Sequence, residues 1–163
     1  VHSMNHTVTE NTSVTQYQIT EFQNLINTLF QCCQERLQYQ SGKFDLPDAE
    51  LRCLMFFKDE KYLTSKNISI KMNVGKSRMT KIVAGLLGKD LIMRIKDPED
   101  SRISLISLTR KGKEKLVEIK AFQDDLHRAV LSQVSDRERK KLLTNLDLLK
   151  ACMESGKEFM TNV

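Results

Sequence analysis

Apolar residues recur along much of this chain at the three- and four-residue spacing that lines up one face of an α-helix. Between Tyr17 and about Gln40 they fall at Phe22, Leu25, Ile26, Leu29, Phe30, Cys33 and Leu37, a single stripe that Ser41-Gly42 is expected to end. Pro47 suits a first helical turn, and Asp48 and Glu50 suit its positive end. The spacing then predicts a second helix through Leu51, Leu54, Met55 and Phe57 to about Lys58. A short segment from Thr64 to Met72 follows, with Ile68 and Met72 inward and Thr64 as its cap. Asn73-Val74-Gly75 breaks it, and a further helix from Lys76 to Lys89 carries Met79, Ile82, Val83, Leu86 and Leu87 on its apolar side. Two short helices joined by a tight turn containing glycine form the helix-turn-helix pattern.

The period then changes. Leu91 to Lys96 reads as a strand, Asp97-Pro98-Glu99-Asp100-Ser101 has strong turn chemistry, and Ile103 to Leu108 reads as a second strand. A hairpin directly after such a helix is a wing. The last third is helical again: Thr109 caps a helix with Leu116, Ile119, Phe122, Leu126 and Val130 inward. Ser135 and Glu138 have capping-box spacing, and the final helix places Leu142, Leu146, Leu149, Met153 and Met160 on a near-heptad seam. A seam that regular needs a partner, as does the stripe on the first helix. The expected fold is mainly α with a small β-hairpin wing, a winged helix-turn-helix plus a helical dimerisation layer made by the N- and C-terminal helices. The expected division is a tag remnant and flexible arm at 1–16, a dimerisation helix at 17–45, the winged helix-turn-helix at 46–108 and dimerisation helices at 109–163. Val1-His2-Ser3, ahead of Met4, reads as the remnant of an expression tag.

Composition narrows the function. With 163 residues the chain has room for one domain and helical appendages, not two catalytic lobes. Six glycines and two prolines are too few for an all-β sandwich, and the absence of Trp argues against a stacking platform for sugars or bases. No run approaches the roughly 18 apolar residues of a membrane span. A soluble, cytoplasmic protein with no membrane partner is expected. The net charge of +5 is modest, but its distribution is uneven. From Lys61 to Lys96 nine basic residues meet one acid, Asp90, so this segment carries +8 and the remainder −3. A basic centre in an acidic frame is the footprint of a phosphate-binding surface; the bland alternative is a solvated helix face.

Residues from about Leu46 to Gly112 resemble the MarR family of bacterial and archaeal winged-helix regulators. Asp97-Pro98-Glu99-Asp100-Ser101-Arg102 is similar to the family's wing pattern, and Leu108-Thr109-Arg110-Lys111-Gly112 to the start of the helix after it. Val74-Gly75-Lys76-Ser77-Arg78-Met79-Thr80-Lys81 resembles the beginning of a recognition helix, and the long terminal helices agree with the family's dimer layer. Two departures stand out. Asp90 replaces a common bend glycine but tolerates the left-handed conformation. Gly85 lies where relatives often carry Arg, and with Gly88 it implies a looser second half of the helix.

The resemblance implies a homodimer that binds double-stranded DNA at an inverted repeat and represses by covering a promoter, with no cofactor and no catalysis. An α-helix fits the major groove, and its first turns come nearest the base edges. Lys76, Ser77, Arg78, Thr80 and Lys81 occupy those turns. Arg78 has the fork for a bidentate guanine contact, Lys81 suits a base or a phosphate, and Ser77 and Thr80 suit either. Thr64, Ser65 and Lys66 open the preceding helix, whose amides suit a phosphate. At the wing tip, Asp100, Ser101 and Arg102 complete the expected interface; Arg102 resembles the family's minor-groove probe, with Asp100 orienting it, and a local salt bridge that stiffens the turn is compatible with that role.

The resemblance also implies an effector cavity between dimer layer and reading head, for a small aromatic or anionic molecule, lined from the first two helices and the fifth. Cysteine chemistry supplies an alternative: Cys32 and Cys33 are candidate redox residues, although Cys33 on the apolar stripe is expected to be buried, and adjacent cysteines on one helix pair poorly. Cys53 and Cys152 lie on other helices. Of His2, His6 and His127 only the last falls in folded chain, where it reads as solvated; no metal site is expected. No Gly-rich phosphate loop, nucleophile elbow or paired His motif marks an enzyme.

Overall fold

The structure, a computed structural model, describes residues 13–100 and 102–161. The tag remnant and most of the arm expected at 1–16, together with His2 and His6, lie outside the described residues, as does Ser101. The element order is α1 (Gln16–Phe44), α2 (Asp48–Met55), a 3-10 turn (Phe56–Lys58), β1 (Leu63–Thr64), α3 (Ser65–Met72), α4 (Lys76–Gly88), β2 (Ile92–Lys96), β3 (Ser104–Leu108), α5 (Arg110–Leu131) and α6 (Asp136–Thr161).

Local chemistry sets most of the boundaries. Thr15 and Gln18 form a reciprocal capping box that starts α1. Ser41-Gly42 does not end this helix, as the sequence suggested; it continues for two more residues, to Phe44. There Asp45 takes the left-handed conformation and closes the last turn, while the Ser41 hydroxyl donates to the Leu46 carbonyl at 2.6 Å. Tertiary packing overrides the glycine, because the added residues carry Phe44 into the core.

The helix-turn-helix is α3 and α4. Thr64 caps α3, its hydroxyl oxygen accepting from the Asn67 amide, and the turn bends at Asn73 with φ 53°. Gly75, the turn's glycine, has an ordinary extended conformation and stands at the N-cap of α4. β2 and β3 pair antiparallel from Ile92↔Leu108 to Lys96↔Ser104. A third strand that periodicity missed, the two-residue β1, adds to the other edge of β3 through Leu63↔Ile106. Two residues are too few for alternation to show.

One core holds these pieces together. Leu51 and Leu54 of α2, Ile68 of α3, Met79, Ile82, Val83 and Leu86 of α4, Ile92 and Ile106 of the sheet and Ile119 of α5 are all buried in it. Thr109 ties the wing back to α4: its amide donates to the Leu91 carbonyl, its hydroxyl donates to the Asp90 carbonyl at 2.7 Å, and its oxygen accepts from the Gly112 amide. Asp90 has φ 57°, so the bend after α4 keeps the left-handed geometry without glycine. Ser135 and Glu138 make the expected capping box before α6.

α1, α5 and α6 are different in character. Phe22, Leu25, Leu29 and Phe30 on α1, Val130 on α5, and Leu142, Leu143, Leu146 and Met153 on α6 all face outward. Among the described residues no helix is long and apolar enough to cross a membrane.

Candidate nucleic-acid interface

α4 separates its two faces cleanly. Met79, Ile82 and Val83 are buried, whereas Lys76, Ser77, Arg78, Thr80 and Lys81 are exposed, in the arrangement their spacing suggested. Thr80 spends its hydroxyl proton on the Lys76 carbonyl at 3.0 Å, so toward a ligand it offers an acceptor oxygen and a methyl group. Among the described residues, no carboxylate stands within ion-pairing distance of Lys66, Lys76, Arg78 or Lys81.

A cleft of about 460 Å³ opens between α3, α4 and the wing. Ser65, Lys66, Ser69 and the exposed Ile70 line it from α3, Lys76, Met79, Thr80 and Val83 from α4, and Arg94 from β2. Arg94 is the residue that motif reading missed. Its charge lay within the basic segment, but only the fold brings the first wing strand beside Lys66 and Lys76. Arg94 likewise has no carboxylate partner among the described residues. Thr64 is half-buried at the start of α3 with its oxygen engaged as the cap, so Ser65 and Lys66 are the more available groups there. Several unneutralised cations around one acid-free cleft give a strongly positive local potential, the complement of a phosphodiester chain.

At the wing tip, Asp97 accepts from the amides of Glu99 and Asp100, which sets the turn. Asp100 then grips Arg102 three times, accepting from its amide at 3.0 Å, its Nε at 3.0 Å and its Nη2 at 3.1 Å. The Arg102 side chain is 90% exposed. The side-chain bonds from Arg102, and after them the one from its backbone amide, hold the Asp100 carboxyl below the usual carboxylate range. The result is an ionised acid that holds a solvent-facing guanidinium in one place. Ser101, between them, lies outside the described residues.

The cysteines divide differently from expectation. Cys33 is exposed, not buried, because among the described residues no segment covers the α1 stripe there; with Cys32 it lines a cleft of about 620 Å³ between α1 and α5. Arg36, Tyr39, Phe122, Leu126 and His127 share that cleft, which involves no residue of α2. His127 is exposed but not simply solvated, since its Nε2 lies 2.9 Å from Nη1 of Arg36. Tyr39 stacks on Phe122 nearby, with centroids 5.8 Å apart. Cys53 is buried, and desolvation, reinforced by the charge of Glu50, pushes its thiol up to about 12. Among the described residues no group of three or more His, Cys, Asp or Glu side chains is placed to hold a metal ion.

Comparison with known proteins agrees with this geometry. Residues 46–104 match the model of the MarR family. Over 131 residues the chain is 28% identical to the uncharacterized HTH-type transcriptional regulator YdgJ of Bacillus subtilis, covering 78% of this chain and 71% of that one. Among solved structures, a mutant of S. aureus MepR superposes with a TM-score of 0.72 at 19% identity, covering 81% of this chain and 98% of MepR. S. aureus MepR in a complex with DNA superposes at 0.63 and 20% identity, with 80% and 98% covered. At these identities the structural likenesses establish the fold.

Proposed function

We propose that this chain, whose residues 46–104 match the MarR family model, is a helix-turn-helix transcriptional regulator of that family, and that it binds double-stranded DNA as a homodimer and represses transcription by covering an inverted-repeat operator. The observation that carries this reading is the exposed face of α4, where Lys76, Ser77, Arg78, Thr80 and Lys81 stand in successive turns with no acid among the described residues to neutralise them. An α-helix enters the roughly 12 Å major groove with its first turns toward the bases. Arg78 reads a guanine, Lys81 a base or a phosphate, and Ser77 and Thr80 supply shorter contacts. Ser65, Lys66 and Arg94 hold the phosphate chain along the cleft, with Thr64 fixing the helix start that presents them. Arg102, aimed by Asp100, enters the neighbouring minor groove. Ser101, outside the described residues, is a candidate contact by its sequence position alone. S. aureus MepR, which shares this fold, has been solved in a complex with DNA, and that supports DNA as the ligand.

The outward apolar faces of α1, α5 and α6 support the homodimer, since contiguous exposed apolar surface of this kind marks an interface. In this reading 17–45 and 109–163 form the helical layer and 46–108 the reading head. Two heads about 34–36 Å apart would meet successive major grooves. The cleft between α1 and α5 is the candidate effector site: apolar walls from Leu29, Phe122 and Leu126 surround Arg36, whose partner is a histidine and not an acid, which suits an aromatic or anionic molecule. Exposure of both Cys32 and Cys33 in the same cleft favours a second reading, in which thiol oxidation there releases DNA.

The test is a gel shift with the DNA flanking the protein's own gene, titrated with salt. Retention of one fragment over competitor, weakening steeply with salt, is expected; no retarded complex at low salt would defeat the reading. Mild peroxide followed by a thiol separates the two release mechanisms, since only the second loses and regains DNA in that sequence.

A further inference from the structure

We propose that Glu50 is a positioning residue for DNA reading: its buried carboxylate, wedged against the backbone of α4 and paired with Lys89, sets the recognition helix against α2. The DNA part of this inference rests on the regulator reading above; the anchoring part stands on geometry alone.

Glu50 lies in the first turn of α2, where its charge suits the helix's positive end, but its side chain turns inward and is only 10% exposed. Oε2 meets Nζ of Lys89, the residue that ends α4, at 2.8 Å. The same carboxylate fills the space beside Gly85: a Cβ there would stand 2.1 Å from Oε1 and 2.9 Å from Cδ. This explains the glycine. A helix-interior glycine costs about 1 kcal/mol relative to alanine, and at position 85 it leaves the room that the buried acid occupies.

Lys89 is held from a second side. Its carbonyl accepts from Nζ of Lys111 at 2.9 Å, and the next carbonyl, that of Asp90, accepts from Thr109. The end of α4 is thus joined to α2 through a side chain and to α5 through its backbone. α2 follows directly on α1, and α5 runs on to α6, so this junction lies between the reading head and the helices that carry the outward apolar faces. The buried apolar residues of α2 and α4, Leu54 and Leu86 among them, resist separation of the helices, but non-directional burial does little to oppose sliding. A directional ion pair fixes the register. Buried pairs add little net stability over apolar groups of the same size, so orientation is the better account of why a charge sits here.

The test compares wild type with Glu50→Gln, which keeps the shape and removes the charge. Two arms are read. In the first, without DNA, amide hydrogen exchange at Lys89, Asp90 and Leu91 is expected to quicken about tenfold, in line with the loss of a coupling of ordinary size; unchanged protection overturns the anchoring. In the second, fluorescence anisotropy with an operator duplex is expected to show affinity down about tenfold with the salt slope unaltered, because no phosphate contact has been removed. Wild-type affinity, or an affinity loss with a reduced salt slope, overturns the positioning role. Should wild type bind no duplex at all, the regulator reading fails, and the first arm decides separately whether Glu50 holds the helix. A steric check completes the set: Gly85→Ala should melt well below wild type, and adding Glu50→Ala should recover part of the loss. A double variant no more stable than Gly85→Ala overturns the wedge.

Discussion

Gly112, in the first turn of α5, packs against the carbonyl of Leu91 so closely that a Cβ on Gly112 would come within 1.8 Å of that oxygen and 2.8 Å of its carbon. The obstacle is backbone, not a side chain that can swing away. Gly112→Ala is therefore expected to push α5 off the bend after α4 and to destabilise the chain by about 3 kcal/mol, the upper part of the overpacking range. A thermal melt checks this. An alanine variant as stable as wild type would mean that α5 and the bend are not in contact.

Much of this architecture is legible in the sequence because the elements are long and their caps are chemical. Thr64, Thr109 and the Ser135–Glu138 pair each satisfy the amides their spacing promises, and the inward face of α4 follows from Met79, Ile82 and Val83. What is not legible depends on contacts far apart in the chain. Gly42 fails to stop α1 because Phe44 finds a core formed by later residues. Gly85 reads as a weak point until Glu50, on another helix, is seen to need the space. Arg94 reads as one charge among nine until the wing folds beside α3. Cys33 sits on an apolar stripe that is exposed in the fold, and helical spacing alone does not distinguish such a stripe from a buried one.

The four cysteines should differ sharply toward a thiol reagent. Burial pushes the Cys53 thiol up to about 12, so near neutral pH it is fully protonated, and it is also covered. Reaction at Cys53 is expected only when the chain unfolds, as denaturant titration with mass-spectrometric mapping would show. Rapid labelling of Cys53 in the native protein would contradict the packing of α2 against α4.

The wing tip should keep its shape into acid. Arg102 holds the Asp100 carboxyl below its ordinary range, so the native pairing is present above the unfolded carboxylate value and is lost only as pH falls through the lowered one. An NMR titration from about pH 6 to pH 2 should show Asp100 titrating after exposed carboxylates, and Arg102→Ala should return it to their range. An unchanged Asp100 titration in that variant would remove the assigned cause.

Arg78 and Lys66 should fail in different ways. Arg78→Ala is expected to cost about 1–3 kcal/mol at one base position and to relax the preference there. Lys66→Ala should weaken all sequences alike and reduce the salt slope by about one. Binding-site selection combined with salt titration separates the two. Identical behaviour of both variants would mean that the groove-facing side of α4 has been misassigned.

The most direct measurement of the central claim is the stoichiometry of the complex. Sedimentation of the chain with and without a duplex carrying the selected inverted repeat is expected to give a particle of two 18.8-kDa chains in both cases, with one duplex bound per pair and dissociation as salt rises. A chain that sediments alone, or that binds the duplex no better than unrelated DNA, would contradict the account.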